Sequence, residues 1–279
     1  MNNPMRCRSR KNLRSTATGS NLRLVEFIVV TDVIYRLKAQ KQSFSTLFRS
    51  ISLFKWVSGM LTAMDFAIGR VIDFLKSTGH YEDTVIIFTS DNGGTAQFGA
   101  SNWPLRGEKD SLWEGGTKTT TIVHAPKHIK VNGVRPLLFH VVDWHATLLA
   151  IGGMQIHSYG DGINQWDYIV SGLPRVRRFQ FIYNIDDHGS AIRDGNYKLI
   201  YGNSDRRFRN ETGKIRLYRI TEDPGESHDI SRLQPAIVRR LLNKILDLQK
   251  YMRRNVRKPL SILGNPELLN GSYASGWCT

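Results

Sequence analysis

The stretch Thr84–Gly94, TVIIFTSDNGG, decides how the rest of the chain is read. From Thr84 to Thr89 the residues are apolar or β-branched without a break. Continuous rather than alternating apolarity predicts a strand buried on both faces, the mark of a parallel sheet. The run stops at Ser90-Asp91-Asn92-Gly93-Gly94. In open α/β sheets ligands bind at the carboxyl ends of strands. The side-chain oxygens of Asp91 and Asn92 are hard donors suited to Ca²⁺ or Mg²⁺. Gly93 and Gly94 would let the backbone take positive φ and curl away. The same five residues are also good turn chemistry with no ligand at all.

Upstream, GMLTAMDFAIGRVIDFLKSTG places Met60, Met64, Ile68, Val71, Ile72 and Leu75 on one helical face, with Gly79 suited to the helix end. A helix followed by such a strand is half of a βαβ unit. Downstream comes a loop rich in Gly, Trp and charge, NWPLRGEKDSLWEGGTK. TTTIVHAP reads as a second strand closed by Pro126, and PLLFHVVDWHATLLAIGG as a helix closed by Gly152-Gly153. Beyond about residue 155 short alternating stretches take over: RRFQFIYNI, SAIRDGNYKLIYG and KIRLYRIT. They predict a small antiparallel sheet with Asp194-Gly195 as a two-residue hairpin turn. A last helix starts near Pro235, with Ile237, Leu241, Leu242, Ile245 and Leu248 as its apolar stripe.

The 279 residues are 41% apolar, enough for a real core, and carry a formal charge of +15. That charge predicts affinity for polyanions: nucleic acid, acidic lipid, or sulfated and carboxylated sugars. Specific nucleic-acid binding is disfavoured, because zinc-finger, RNP and basic-zipper patterns are absent. No apolar run approaches the roughly 20 residues of a membrane span. Cys7 and Cys278 make neither a disulfide framework nor a zinc cluster. The first 22 or so residues read as a disordered basic arm without a signal-peptide apolar region. Asn210-Glu-Thr and Asn270-Gly-Ser are possible glycosylation sites should the chain enter the secretory pathway. Arg239, Arg240, Lys244, Lys250, Arg253 and Arg254 give the last helix either a solvated cationic face or a polyanion-binding one.

The motifs TVIIFTSDNGG and NWPLRGEKDSLWEGG, followed by HVVDWHATLL, DGINQW, YNID, AIRDGNYKL and LYRITEDPGESHDIS, resemble the sulfatases and, within them, the arylsulfatase B-like branch. The resemblance runs from about Met60 to about Arg232 in the family's order and spacing. It implies an α/β fold: a partial alkaline-phosphatase-like sheet with flanking helices, plus a small C-terminal antiparallel sheet and helix. It implies that Asp91 and Asn92 are calcium ligands and that Lys109 contacts the substrate sulfate, a role that suits a compact cation. By the same resemblance the reaction is hydrolysis of sulfate esters of sugars or aryl alcohols, in the lysosome or outside the cell.

Other parts of the family's pattern do not occur. The Cys-x-Pro-Ser/Thr-Arg motif that yields the formylglycine nucleophile is absent; Cys7–Arg10, CRSR, lacks its proline. The early Asp-Asp calcium pair is absent too. Asp186-Asp187, beside His188, matches the family's Asn-Ile-Asp segment, and two adjacent acids fall far short of a coordination sphere. RLKAQKQSFSTLFRSISLFKW holds no histidine to match the catalytic one, and His80, His124, His140 and His145 read as core or surface residues. The expected organisation is a basic non-family segment over 1–50, the later part of a sulfatase domain over 51–154 and a C-terminal subdomain over 155–279. Such a chain is expected to be truncated and inactive, with half a calcium site, and to need a partner or an N-terminal half to cover an exposed sheet. The alternative is a non-catalytic remnant that binds glycosaminoglycan-like polyanions.

Overall fold

A computed structural model describes residues 46–173, 176–186, 189–207, 211–252, 265–269 and 271, with side chains placed from Lys55 onward, except at Leu269. The described residues up to Lys250 belong to one compact unit; those from Tyr251 belong to another, in which Pro266–Leu269 form a 3₁₀ turn.

The first helix, α1, runs from Thr46 to Ser77 and so begins thirteen residues ahead of Gly59. The segment TLFRSISLFKWVS contains neither proline nor glycine to stop it. Its end is a Schellman motif: Gly79 takes φ +76°, its N–H donates to Lys76 O, and His80 N–H donates to Leu75 O. The expected face is the better covered one. Met60, Met64, Ile68 and Ile72 are half-buried and Leu75 is buried, while Val71 at its margin is exposed.

Strand β1, Ile86–Thr89, pairs with β2, Thr121–His124, in an antiparallel two-stranded ribbon. The parallel pairing expected for β1 is not seen among the described residues. Nor is β1 buried on both faces: all four of its residues are half-buried, and burial is complete only at Thr84 and Val85 just before it. The continuous apolar run reflects two faces that could be covered, and the described chain covers them in part. Between β1 and β2 lies the glycine-rich loop, with one helical turn, α2, at Glu114–Thr117.

Helix α3, Asp143–Ile151, starts seven residues later than the apolar pattern from Pro136 suggested. Its start is fixed by Asp143, whose buried carboxylate accepts the His140 N–H at 2.9 Å and the Ile163 N–H at 2.8 Å. Arg178 donates to it from Nε at 2.8 Å and Nη2 at 2.5 Å. This ties α3 to the hairpin β3–β4 (Ser158–Tyr159, Gly162–Ile163) and to the segment leading into the next sheet. A short helix, α4, spans Trp166–Ser171.

The expected C-terminal sheet is present as four antiparallel strands: β5 Gln180–Ile185, β6 Gly189–Asp194, β7 Tyr197–Gly202 and β8 Ile215–Arg219. Asp194 pairs with Tyr197, so the hairpin loop is Gly195-Asn196, one residue later than Asp194-Gly195. Gly195 has φ +57°, which a residue with a Cβ rarely adopts. Helix α5, Pro235–Gln249, packs Leu241 and Ile245 on one face of the sheet against Ile192, Leu199 and Leu217. The alternate residues Ala191, Ile200 and Tyr218 point the other way and pack on Trp113 of the glycine-rich loop. The sheet is thus covered on both faces, and its second face is the floor beneath the loop.

Candidate functional site

The Asp91–Gly94 corner is locked to the loop that follows by backbone contacts. Gly93 N–H donates to Gly116 O at 3.0 Å, and Lys109 N–H to Gly94 O at 3.4 Å. Asn102 clamps the same corner: its Oδ1 accepts Gly94 N–H at 2.9 Å, while its Nδ2 donates to Gly94 O at 2.8 Å and Gly107 O at 3.1 Å. The glycines serve this interlock and not a positive-φ curl, since neither Gly93 nor Gly94 has positive φ. A Cβ on Gly93 would sit 1.7 Å from Gly115 O, and one on Gly115 would sit 2.5 Å from Arg106 O. Two chain segments approach at backbone contact, which only glycine permits.

At the corner's surface Asp91 is exposed and Asn92 half-buried. Asp91 Oδ1 accepts the Asn92 N–H at 2.8 Å, and Asn92 Nδ2 donates to Gly93 O at 2.8 Å. No described residue donates to Asp91 Oδ2 or Asn92 Oδ1, so one carboxylate and one amide oxygen remain available. Lys109 makes no ion pair with a described residue. Its neighbour Glu108 is occupied instead, accepting Ala96 N–H at 2.6 Å and pairing with Arg207, which also grips Asp205. The donors at Asp91 and Asn92 are of the right kind for Ca²⁺, which takes six to eight oxygens. Among the described residues no third acid, histidine or cysteine joins them in a metal-binding group. They fit one side of such a site and do not close it.

Beneath the loop lies a charged cluster that the sequence reading missed. Lys198, on β7, is fully buried between two carboxylates, 2.9 Å from Glu114 Oε1 and 2.8 Å from Glu226 Oε1. Tyr183 donates its hydroxyl to Glu114 Oε1 at 2.6 Å, and Glu114 N–H donates to Glu226 Oε2 at 2.6 Å. A register shift between Ile182 and Asn184 makes Tyr183 the extra residue of a bulge, a common device for re-aiming a side chain. Arg106 stacks 3.8 Å over the Trp113 ring and donates to Glu226 O at 3.2 Å. Burial works against the charge on Glu114, but the Lys198 charge and the Tyr183 and Lys198 hydrogen bonds outweigh it and hold its carboxyl below the usual range. For Glu226 burial wins and pushes the carboxyl up, with Lys198 opposing. Burial, with Glu114 beside it, lifts the Tyr183 hydroxyl well above its ordinary value.

Glu114, Lys198 and Glu226 come from three of the motifs quoted above, LWEGG, GNYKL and DPGES. Lys198 shares the period-2 register of Ile200, so its inward direction was readable from the alternation. Its partners, 84 residues before and 28 after it, were not.

The chain was also compared with known protein families, sequences and structures. The family described as Sulfatase matches residues 38–154. Arylsulfatase J of Mus musculus is 35% identical over 263 residues, covering 79% of this chain and 44% of that protein. These matches support a sulfatase family member. N-acetylgalactosamine-6-sulfatase of Rattus norvegicus is 30% identical over 114 residues, covering 39% of this chain and 20% of that protein. The solved structure of Ps i-CgsB in complex with k-i-k-neocarrahexaose superposes with a TM-score of 0.60 at 22% identity, covering 76% of this chain and 48% of that one. Another structure of Ps i-CgsB gives 0.57 at 25% identity over 68% and 42%. These likenesses establish the alkaline-phosphatase-like α/β fold. The chain spans less than half the length of these relatives.

The remaining site expectations have other partners or lie outside the described residues. Asp186 accepts Gly189 N–H at 2.9 Å and pairs with Arg206 at 3.2 Å. Asp187, His188, Asn210, Asn270, Cys7, Cys278, Arg253 and Arg254 lie outside the described residues. His124 meets the Tyr81 hydroxyl at 2.7 Å and His145 lies against Tyr159. His140 is half-buried against Phe181; burial, then the nearby Arg178 charge, lower its pKa. On α5, Arg240 and Lys244 are both paired with Asp194 and Lys250 with Asp247, which reduces the cationic face available to a polyanion.

Proposed function

We propose that Asp91, Asn92 and Lys109 form one wall of a sulfate-ester site, with Asp91 and Asn92 holding one side of a calcium ion. The observation that supports this most is the interlock: the Asp91–Gly94 corner and the Lys109 segment are joined backbone to backbone, with two oxygens and one ammonium that no described residue engages. Calcium, when bound, would supply positive charge to a sulfate oxygen. Lys109 would hold the sulfate as a second point charge. Asn102 and the glycines keep both segments in register. Sulfated sugars are the favoured substrates, in line with relatives named as N-acetylgalactosamine sulfatases and a neighbour solved with an oligosaccharide. A lysosomal or extracellular setting goes with that substrate class; among the described residues no helix is long and apolar enough to cross a membrane.

We further propose that these 279 residues do not themselves turn over sulfate esters, because the Cys-x-Pro-Ser/Thr-Arg motif is absent from them. The test is calorimetry of the purified chain with inorganic sulfate in calcium, paired with an aryl-sulfate hydrolysis assay. Sulfate binding that is weakened by Lys109→Ala and by calcium removal, without turnover, is the expected result. Turnover abolished by Asp91→Ala would overturn the inactivity, and sulfate binding indifferent to Lys109 would overturn the site.

A further inference from the structure

The helical turn α2, Glu114–Thr117, is the piece against which both segments of the candidate site rest. On one side Gly93 N–H donates to Gly116 O at 3.0 Å, and a Cβ on Gly93 would sit 1.7 Å from Gly115 O. On the other side Gly115 N–H donates to Arg106 O at 2.7 Å, and a Cβ on Gly116 would sit 2.5 Å from Glu108 O. The corner that carries Asp91 and Asn92 and the stretch that runs into Lys109 therefore take their positions from the same short turn.

A single helical turn does not hold its own shape in water, because its few hydrogen bonds do not offset the cost of ordering it. Nor is this one capped locally: Trp113, at its start, makes no side-chain cap hydrogen bond. The turn is held from the sheet beneath it. Glu226, far along the chain, accepts the Glu114 N–H on Oε2 at 2.6 Å. Glu114 Oε1 accepts the Tyr183 hydroxyl at 2.6 Å and lies 2.9 Å from Lys198 Nζ. Tyr183 and Lys198 belong to β5 and β7, in the sheet that is packed on both faces. Glu226 itself sits at φ +54°, a conformation that a residue with a Cβ rarely adopts and keeps where its surroundings impose it. Buried charges of this kind add little net stability over an apolar filling, since desolvation offsets their attraction. What charge-assisted hydrogen bonds do supply is direction, and here they converge on the first residue of α2.

We propose that Glu114 is a positioning residue for the candidate site. Held by Lys198, Tyr183 and Glu226, it fixes α2 and, through α2, the Asp91–Asn92 corner, so that calcium affinity depends on a carboxylate that takes no part in coordination. The inference rests on the reading of Asp91 and Asn92 as calcium ligands.

The experiment compares the full chain with Glu114→Ala, which removes the tie but leaves Lys198 paired with Glu226. Calcium is titrated by calorimetry, and hydrogen exchange of the calcium-free protein is followed by mass spectrometry over residues 90–94. Loss of a support behind metal ligands predicts a calcium dissociation constant raised about tenfold. Exchange over 90–94 should quicken while exchange in the β6–β7 hairpin does not. Glu114→Gln, which can still accept from Tyr183 and Lys198, should restore most of the affinity. Ile245→Ala, in the core on the sheet's other face, should lower the thermal midpoint and leave the calcium constant unchanged. A calcium constant and an exchange rate unaltered by Glu114→Ala overturn the positioning role and leave the calcium corner standing. Exchange quickened equally throughout the sheet, or an equal loss of affinity in Ile245→Ala, also overturns it, because Glu114 would then act through stability alone. Absence of calcium binding by the unaltered chain overturns the calcium reading and the positioning role with it.

Discussion

The β5–β8 sheet with α5 and the β1–β2 ribbon with α1 are built from similarly apolar sequence, yet they finish differently. The sheet buries Ile192, Leu199, Leu217, Leu241 and Ile245 on one face and Ala191, Ile200 and Tyr218 on the other. In α1 the sole buried residue among the described side chains is Leu75, while Trp56, Phe66 and Phe74 are 72%, 74% and 66% exposed. In β2 Ile122 is 57% exposed. The four-stranded sheet satisfies its own faces; the ribbon and α1 satisfy theirs in part. The candidate site lies at the seam, its corner carried by β1 and its floor by β7 and β8. Stability and ligand contact are therefore divided between the two regions, and each substitution below tests that division.

The largest effect is expected at the seam. Lys198→Met leaves Glu114 and Glu226 buried without their shared cation, at a cost of about 3–5 kcal/mol. Chemical denaturation measures it. A triple change that also replaces Glu114 and Glu226 by Gln should recover a good part of the loss, because the uncompensated charge would be gone. A loss under about 1 kcal/mol for Lys198→Met would mean that the loop is not anchored through this cluster.

Next comes the sheet core. Leu217→Ala, at a fully buried position, should cost about 2–5 kcal/mol. The size of that loss sets the scale against which the ribbon is judged. If Leu217→Ala proved nearly neutral, the sheet would be no better packed than the ribbon, and the contrast would collapse.

A third, smaller effect is pH dependence within the sheet's edge loop. Burial would raise Glu211, but hydrogen bonds from Ser204 and the charge of Arg216 outweigh it and hold its carboxyl at about 2. A depressed carboxylate stabilises the fold above its unfolded value near 4.5 and loses that contribution as pH falls toward 2. The contribution is on the order of 2 kcal/mol. Unfolding measured at pH 6 and pH 2.5 should show Glu211→Gln destabilised at the higher pH, with the gap to the unaltered chain clearly narrowed at the lower. An equal gap at both would place the effect in packing.

The same contrast explains what could be read from the sequence. Period-2 alternation in β6, β7 and β8 and the apolar stripe of α5 are local patterns with local consequences, and the structure has them where the spacing put them. The family assignment was carried by motif order over most of the chain. What failed was the pairing of β1, because a continuous apolar run states that both faces can be buried but not which strand lies alongside. The role of Gly93 was misjudged for a related reason. Its partner, Gly115, is 22 residues away, and a demand for close approach looks the same in sequence as a demand for positive φ. The Lys198 cluster was hidden for want of its long-range partners. Of the candidate site, Asp91, Asn92 and Lys109 were nameable; Asn102, which ties Gly94 to Gly107 through three side-chain hydrogen bonds, read as an ordinary loop residue.

The smallest effect is the sharpest test of the ribbon side. Phe74 and Phe66 expose most of their surface on α1, so replacing either by Ser removes little buried area. Each change should alter unfolding free energy by less than about 0.5 kcal/mol, apart from a modest helix-propensity cost. Solution behaviour should change more: large exposed apolar faces promote association. The double variant Phe66→Ser/Phe74→Ser should lower concentration-dependent light scattering at unchanged thermal midpoint. If the midpoint instead drops by several degrees, those side chains are packed against something in the folded protein, such as a second copy of the chain. Sedimentation at two concentrations separates the cases, since a stabilising self-contact melts out on dilution and a merely sticky surface does not.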